Sequence, residues 1–296
     1  MDSLAISVPG LGAAWDMAMP RQQAMPVVFA SPHSGTDYPR SFVANSRLDP
    51  ITLRKSEDSF VDEVFAGVVD EGAPLLKALF PRAYIDPNRE PFELDPAMFA
   101  DPLPDYANTR SPRIAAGLGT IARVVANGEE IYREKLTFAD ALRRVNELYR
   151  PYHMALKRLV DATVQSFGVA VLIDCHSMPS VGGPMDEDAG RRRFDMVLGD
   201  RHGTACAPAL IDVVERFLGD AGYEVVRNNP YAGGFTTQHY GSPANGVHAL
   251  QIEINRALYM DETKIERSSG LYRIADCMTA LAAHLRERLP TLLFPD

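Results

Sequence analysis

The chain has 296 residues, 46% hydrophobic and 23% charged, which is ordinary soluble globular composition and enough to bury a full core. Its formal net charge of −9 argues against nucleic acid or an anionic membrane as partner. The three cysteines, Cys175, Cys206 and Cys277, lie far apart and form no CxxC pair. That excludes a disulfide framework and a thiolate metal site, and a reducing cytoplasm fits best.

Along the chain, the N-terminal MDSLAISVPGLGAAWD lacks a basic stretch and a long apolar run, so no signal peptide is expected. No segment approaches the apolar length of a membrane span. VVFAS (27–31) reads as a buried strand, and the chain leaves it through PHSGTDYP, which puts His33 on a Gly-containing loop at the strand's tip. In EDSFVDEVFAGVVDEG, Phe60, Val61, Val64, Phe65 and Val68 share one helical face, and the helix ends near Gly72. FPRAYID (80–86) reads as a strand that delivers Asp86, Asn88 and Arg89. Residues 86–113 are proline-dense and aperiodic, a long excursion of the kind that is often functional. Residues 137–168 carry helical periodicity, in which Pro151 must kink the helix or start a second one. VAVLIDCHS (169–177) is another apolar strand. ACAPALIDVVERFLGDAGYEVV reads as a helix, a glycine-bearing turn and the strand YEVVRN (223–228). NNPYAGGF (228–235) is either a flexible loop over the substrate or a tight turn. HALQIEIN (248–255) is the last strand, and a final helix spans roughly residues 269–288.

Apolar strands alternating with amphipathic helices predict an α/β layered fold with a mostly parallel sheet. No Pro- or Gly-rich linker divides the chain, so residues 1–296 read as a single domain. In such folds the C-terminal ends of the strands line the edge where ligands bind. His33 stands at one such exit, and VLIDCHSMPS repeats the pattern with His176. Two histidines and a carboxylate with an open position make the usual hydrolytic zinc site. SEDSF offers Asp58 and Glu57 as the carboxylate, although an acidic residue there can also cap its helix. The remaining histidines lack this paired setting; His153, for instance, lies in the helical RPYHMAL. Glu253, set between apolar neighbours in LQIEIN, is costly to bury unless paired or functional. It suits a general base, with a salt bridge to Arg256 as the alternative. DPNRE suggests an anion clamp of Arg89 and Asn88, and Arg82 is a candidate for stabilising an oxyanion.

With these residues in place, the chain resembles the N-formylglutamate amidohydrolase family. The matching pieces are SPHSGTDYP, EDSFVDEVF, RAYIDPNRE, YRPYH, LIDCHSMPS, DMVLGDRHGTAC, NNPYAGGFTTQHYG and ALQIEINRALYMDE, in the family's order over roughly residues 26–265. That family is similar in fold to the zinc carboxypeptidases, which implies a three-layer α/β/α domain with a twisted, mixed, mostly parallel sheet of about eight strands. The carboxypeptidase His-x-x-Glu motif is absent, since Thr36 stands three residues after His33. The resemblance therefore supports His33 and His176 as metal ligands, favours Asp58 over Glu57 as the third, and matches Glu253 to the catalytic glutamate. It also implies that Asn88 and Arg89 bind the substrate α-carboxylate.

The implied activity is cleavage of N-formyl-L-glutamate to formate and L-glutamate in the cytoplasm, as a step of histidine degradation. One Zn2+ per chain activates the water, Glu253 is the base, and Arg82 stabilises the oxyanion. A further cation should meet the side-chain carboxylate, for which Arg144 and Arg133 are candidates. Two rivals share much of the pattern. One is a zinc deacylase or carboxypeptidase acting on another N-acyl amino acid or a short peptide. The other is a non-catalytic amino-acid-binding module.

Overall fold

The computed structural model describes residues 13–125, 128–184 and 186–293. Most of the N-terminal segment read above for a signal peptide lies outside the described residues. Seven strands form one mixed sheet: β1 (Trp15–Ala18), β2 (Val27–Ser31), β3 (Leu75–Ala78), β4 (Ala170–Met178), β5 (Met196–Gly199), β6 (Val225–Arg227) and β7 (Val247–Asn255). Their spatial order is β1-β3-β2-β4-β7-β5-β6. The central β3, β2, β4 and β7 are parallel. At one edge β1 runs antiparallel to β3; at the other, β5 runs antiparallel to β7 and carries β6 parallel to itself. A separate two-stranded ribbon joins Met260–Asp261 to Glu266–Arg267.

The alternation of side chains along each strand divides the core into two layers. Val27, Phe29, Val171, Ile173, Cys175, Leu250, Ile252 and Ile254 face the helices Pro208–Asp220 and Gly270–Leu293. Val28, Ala30, Ala170, Leu172 and Ala249 face the helix Arg150–Phe167 through Tyr152, Ala155, Leu156 and Leu159. Both faces of β4 are therefore covered, and its whole length is buried, as expected of a strand inside a parallel sheet. Among the described residues no helix is long and apolar enough to cross a membrane.

Three expectations change in detail. Residues 80–86 are not a strand: β3 ends at Ala78. Pro81 has no N–H for a ladder, and its carbonyl instead accepts from the Tyr84 and Ile85 amides in a turn. The helix after Phe60 is short, α-helical over Val61–Val64 and 3₁₀ over Ala66–Val69. The long helical stretch runs as Phe138–Arg144, a π-turn at Val145–Tyr149, then Arg150–Phe167. Pro151 stands in the first turn of that second helix, one of the two outcomes expected of it, where the π-turn has already interrupted the regular i to i−4 pattern.

Candidate metal and catalytic centre

The parallel pairing of β4 with β7 sets His176 directly beside Glu253 and Asp174 beside Gln251. All four occupy alternate positions on one face, near the C-terminal ends of their strands. His33 arrives from the loop after β2. That loop crosses the exit of β3 so closely that a Cβ on Gly35 would lie 2.3 Å from the Phe80 carbonyl oxygen, which is why glycine stands there. The His33 carbonyl accepts from the Asp58 amide at 3.1 Å, which draws the 57–59 segment to the site.

Three ligand-type atoms converge. His33 Nδ1 lies 3.1 Å from His176 Nδ1, and Asp58 Oδ2 lies 3.3 Å from the first and 3.0 Å from the second. Ligands about 2.0–2.1 Å from a tetrahedral zinc ion would stand about 3.3 Å apart. On the outer sides of the rings, His33 Nε2 is 2.7 Å from Asp86 Oδ1 and His176 Nε2 is 2.9 Å from Asp174 Oδ1. With a cation bound, carboxylates placed there would favour the proton on each Nε2 and free each Nδ1 lone pair to face inward. Without one, burial opposes a charge on His176, but Asp174 and Asp58 raise its pKa well above the usual range, and its Nδ1 can donate to Asp58. Two lone pairs and a carboxylate oxygen aimed at one point suit a cation. The group His33, Asp58 and His176 can therefore hold a metal ion.

Asp58 is anchored through its other oxygen, which accepts from Arg256 Nη2 at 3.0 Å and lies 3.8 Å from Arg82 Nη1. Burial opposes its ionisation, but the His176 and His33 hydrogen bonds and the Arg82 charge hold it well below the usual carboxylate range. Its side chain caps no helix: the cap position belongs to Phe60, in the left-handed region at φ 67°. Glu57 points into a different network, bonded by Arg54, the Tyr38 hydroxyl and Ser59. The structure thus brings Asp58, and not Glu57, to the histidines.

Glu253 accepts from Gln251 Nε2 at 2.9 Å through Oε1, while Oε2 carries no hydrogen bond from the described residues. Burial pushes its pKa up to about 7, and the neighbouring His176 only partly offsets this. The anticipated alternative partner, Arg256, bonds Asp58, Ser177 and the Lys55 carbonyl instead. Arg82 donates to Asp86 Oδ2 at 2.8 Å and so stands between Asp86 and Asp58. Burial and, against it, the charges of Arg82 and His33 leave Asp86 well below the ordinary carboxylate range.

Asn88 is buried, with Oδ1 accepting from the Thr236 amide at 2.7 Å and Nδ2 lying 3.1 Å from His176 Nε2. Among the described residues Arg89 donates only to backbone carbonyls, those of Leu118 and Asn88. Burial and the nearby charges of Arg113 and Arg82 lower its pKa to about 10, so it stays cationic at neutral pH. Arg144 lies elsewhere, stacked on Tyr84 and bonded to the Tyr84 carbonyl, Tyr132 and Asp140. Arg133 donates to the Ser46 carbonyl beside a surface cavity with Arg47, Arg123 and Lys135. Neither touches the histidine cluster. NNPYAGGF is a bonded turn: Arg201 N–H donates to the Ala232 carbonyl, Gly234 N–H to Gln251 Oε1, and Thr236 N–H to Asn88.

The sequence places Asp174 at a strand exit and Arg256 beside Glu253, but neither the partnership of Asp174 with His176 nor that of Arg256 with Asp58 is anticipated there. Asp174 had a usable signal, since it stands two residues before His176 and must share its face of β4. Arg256 had none, because its partner Asp58 is 198 residues away.

The family model of N-formylglutamate amidohydrolases matches residues 25–260. The N-formylglutamate deformylase of Pseudomonas putida is 30% identical over 246 residues, covering 82% of this chain and 85% of that protein. The deformylase of Pseudomonas aeruginosa is 29% identical over 272 residues, 91% of this chain and 93% of that protein. The crystal structure of N-formylglutamate amidohydrolase from Ralstonia eutropha JMP134 superposes with a TM-score of 0.84 at 39% identity, covering 93% of this chain and 97% of that one. The chain belongs to the N-formylglutamate amidohydrolase family and is a hydrolase of carbon–nitrogen amide bonds.

Proposed function

We propose that residues 1–296 act as one catalytic domain that hydrolyses N-formyl-L-glutamate to formate and L-glutamate. His33 Nδ1, His176 Nδ1 and Asp58 Oδ2 would hold one divalent cation, for which two imidazoles and a carboxylate favour zinc. Such an ion, when bound, polarises the substrate carbonyl and lowers the pKa of water to about 7. The single observation that carries the proposal is the convergence of those three atoms with Glu253 in register beside His176.

Glu253 does the proton work. Its Oε2 takes a proton from the water as the water oxygen adds to the formyl carbon. The same proton then passes to the α-amino nitrogen as the C–N bond breaks, releasing formate and the amine of glutamate. A carboxyl with a pKa near 7 can both accept and return a proton at neutral pH. Arg82 offers positive charge to the developing oxyanion. Arg89 takes the α-carboxylate, its guanidinium being engaged among the described residues by carbonyls alone. Asn88, whose Oδ1 already accepts from the Thr236 amide, holds the turn at Thr236. For the side-chain carboxylate Arg113 fits better than Arg144 or Arg133. It has no ion pair among the described residues, and its charge is felt at Arg89.

The test is formate or acetate release from N-formyl-L-glutamate, N-formyl-L-aspartate, N-formyl-L-leucine and N-acetyl-L-glutamate. The expected order puts N-formyl-L-glutamate first in kcat/KM. Faster turnover of the acetyl or the leucine compound would replace the proposal with a deacylase of other specificity. Arg113→Ala should raise KM for N-formyl-L-glutamate and leave N-formyl-L-leucine unchanged.

A further inference from the structure

The segment Pro87–Asn88–Arg89 belongs to no helix or strand, yet each of its three carbonyls accepts a hydrogen bond from a side chain. His153 Nε2 donates to the Pro87 carbonyl at 2.8 Å. The guanidinium of Arg89 itself bonds the Asn88 carbonyl at 2.8 Å, and the Tyr149 hydroxyl donates to the Arg89 carbonyl at 2.7 Å. Tyr149 closes the π-turn and His153 follows one helical turn later, so their rings lie on one face with centroids 4.3 Å apart. Single-turn π-bulges in α-helices often mark functional positions.

His153 is fixed from its other side too. Because Nε2 donates to a carbonyl, Nδ1 is free to accept, and the Tyr240 hydroxyl lies 3.0 Å from it and 3.2 Å from the His153 carbonyl, between which it shares its one proton. Tyr240 belongs to the helix Phe235–Tyr240, whose Phe235 ring also packs edge-on against His153. The start of that helix holds Asn88, through the Thr236 amide, and approaches so closely that a Cβ on Gly234 would fall 2.3 Å from Asn88 Nδ2. The segment carrying Arg89 is thus gripped between the π-bulged helix and the turn at 233–236.

We infer that Tyr149 and His153 are positioning residues that set the affinity for the substrate α-carboxylate by fixing the backbone from which Arg89 reaches it. This rests on the proposed role of Arg89. Neither residue is placed to touch the scissile bond, so their loss acts on substrate binding and leaves the proton transfers of Glu253 alone.

The test compares an N-formyl amino acid bearing a free α-carboxylate with the same compound as its α-carboxamide. Tyr149→Phe removes one oxygen from the protein and preserves the packing of the ring. It should raise KM for N-formyl-L-glutamate by about tenfold, the value of one lost hydrogen bond, with kcat held within about twofold. For the α-carboxamide, which Arg89 does not grip, KM should be the same in variant and wild type. His153→Leu should act in the same direction and more strongly, with His153→Gln restoring part of the loss by returning a donor near Nε2. Equal KM changes for carboxylate and carboxamide, or a fall in kcat at constant KM, would overturn the inference, as would no change at all. If the wild type instead prefers another N-acyl amino acid, the assignment of N-formyl-L-glutamate fails by itself, and the same comparison is made on that compound. If the wild type turns over none of them, calorimetric Kd values for the same two ligands replace KM, with the same outcomes expected.

Discussion

Arg144 and the pair His33–His176 both bury basic side chains beside carboxylates, but they meet those surroundings in opposite ways. The Arg144 guanidinium lies 4.0 Å above the Tyr84 ring and donates to the Tyr84 carbonyl, the Tyr132 hydroxyl and Asp140. Only its Nε lacks a partner. Donors face acceptors, so the cluster is complete within the chain and reads as structural. At the histidines, acceptors face one another. Asp86 and Asp174 favour protons on the two Nε2 atoms, which leaves both Nδ1 atoms beside Asp58 Oδ2 within 3.3 Å. Such an arrangement calls for positive charge, either a metal ion or, without one, a proton that His176 shares with Asp58. A buried charged cluster is thus a candidate site when its polar atoms are mismatched, and scaffold when they are matched.

Breaking the mismatch should cost most. His176→Ala removes one converging atom and should lower formate release by about a thousandfold or more, with loss of bound metal measured on the purified protein. Glu253→Gln should lower kcat by about 10²–10⁴-fold while metal content stays at the wild-type level. Loss of the metal in that variant would make Glu253 a ligand. Asp174→Asn keeps the shape but weakens the orientation of His176, so metal affinity measured by competition with a chelator should fall by about 10–100-fold. The pH profile probes Glu253 more gently. As the base it works deprotonated, so kcat/KM should rise with pH and level off at or below about 7, a bound cation being able only to lower that inflection. Activity that falls between pH 5 and 7 would rule out the deprotonated form as the working one. Arg144→Met is the contrasting case. It should reduce stability by about 2–3 kcal/mol in denaturant unfolding and leave KM and kcat of the folded enzyme unchanged.

Much of the site can be read in the sequence because strands impose alternation and parallel sheets place their exits together. His176 and Glu253 follow from apolar runs interrupted at the C-terminal end, and His33 from the glycine loop that ends β2. The choice between Asp58 and Glu57 does not follow from spacing. It depends on the hydrogen bond from the Asp58 amide to His33 and on the left-handed turn at Phe60, neither of which leaves a periodic trace. Asp86 bonds the Asn88 amide close by in sequence, but its role at His33 is a contact across 53 residues. The position of β3 was misjudged because Phe80, Tyr84 and Ile85 are apolar and buried without being extended. The assignment of Arg144 to the substrate failed to anticipate Tyr84 and Tyr132 as partners, since tertiary packing alone brings them together. Among the described residues the sheet has seven strands, in keeping with the mixed sheet of about eight expected, and its short β1 and β5 carry too few residues for alternation to show.

Metal content and formate release, measured on the purified protein before and after chelation and again after zinc is restored, test the central claim most directly. The expected result is about one ion per chain, activity that disappears with it, and activity that returns when zinc is added back. Undiminished formate release from metal-free protein would contradict the account.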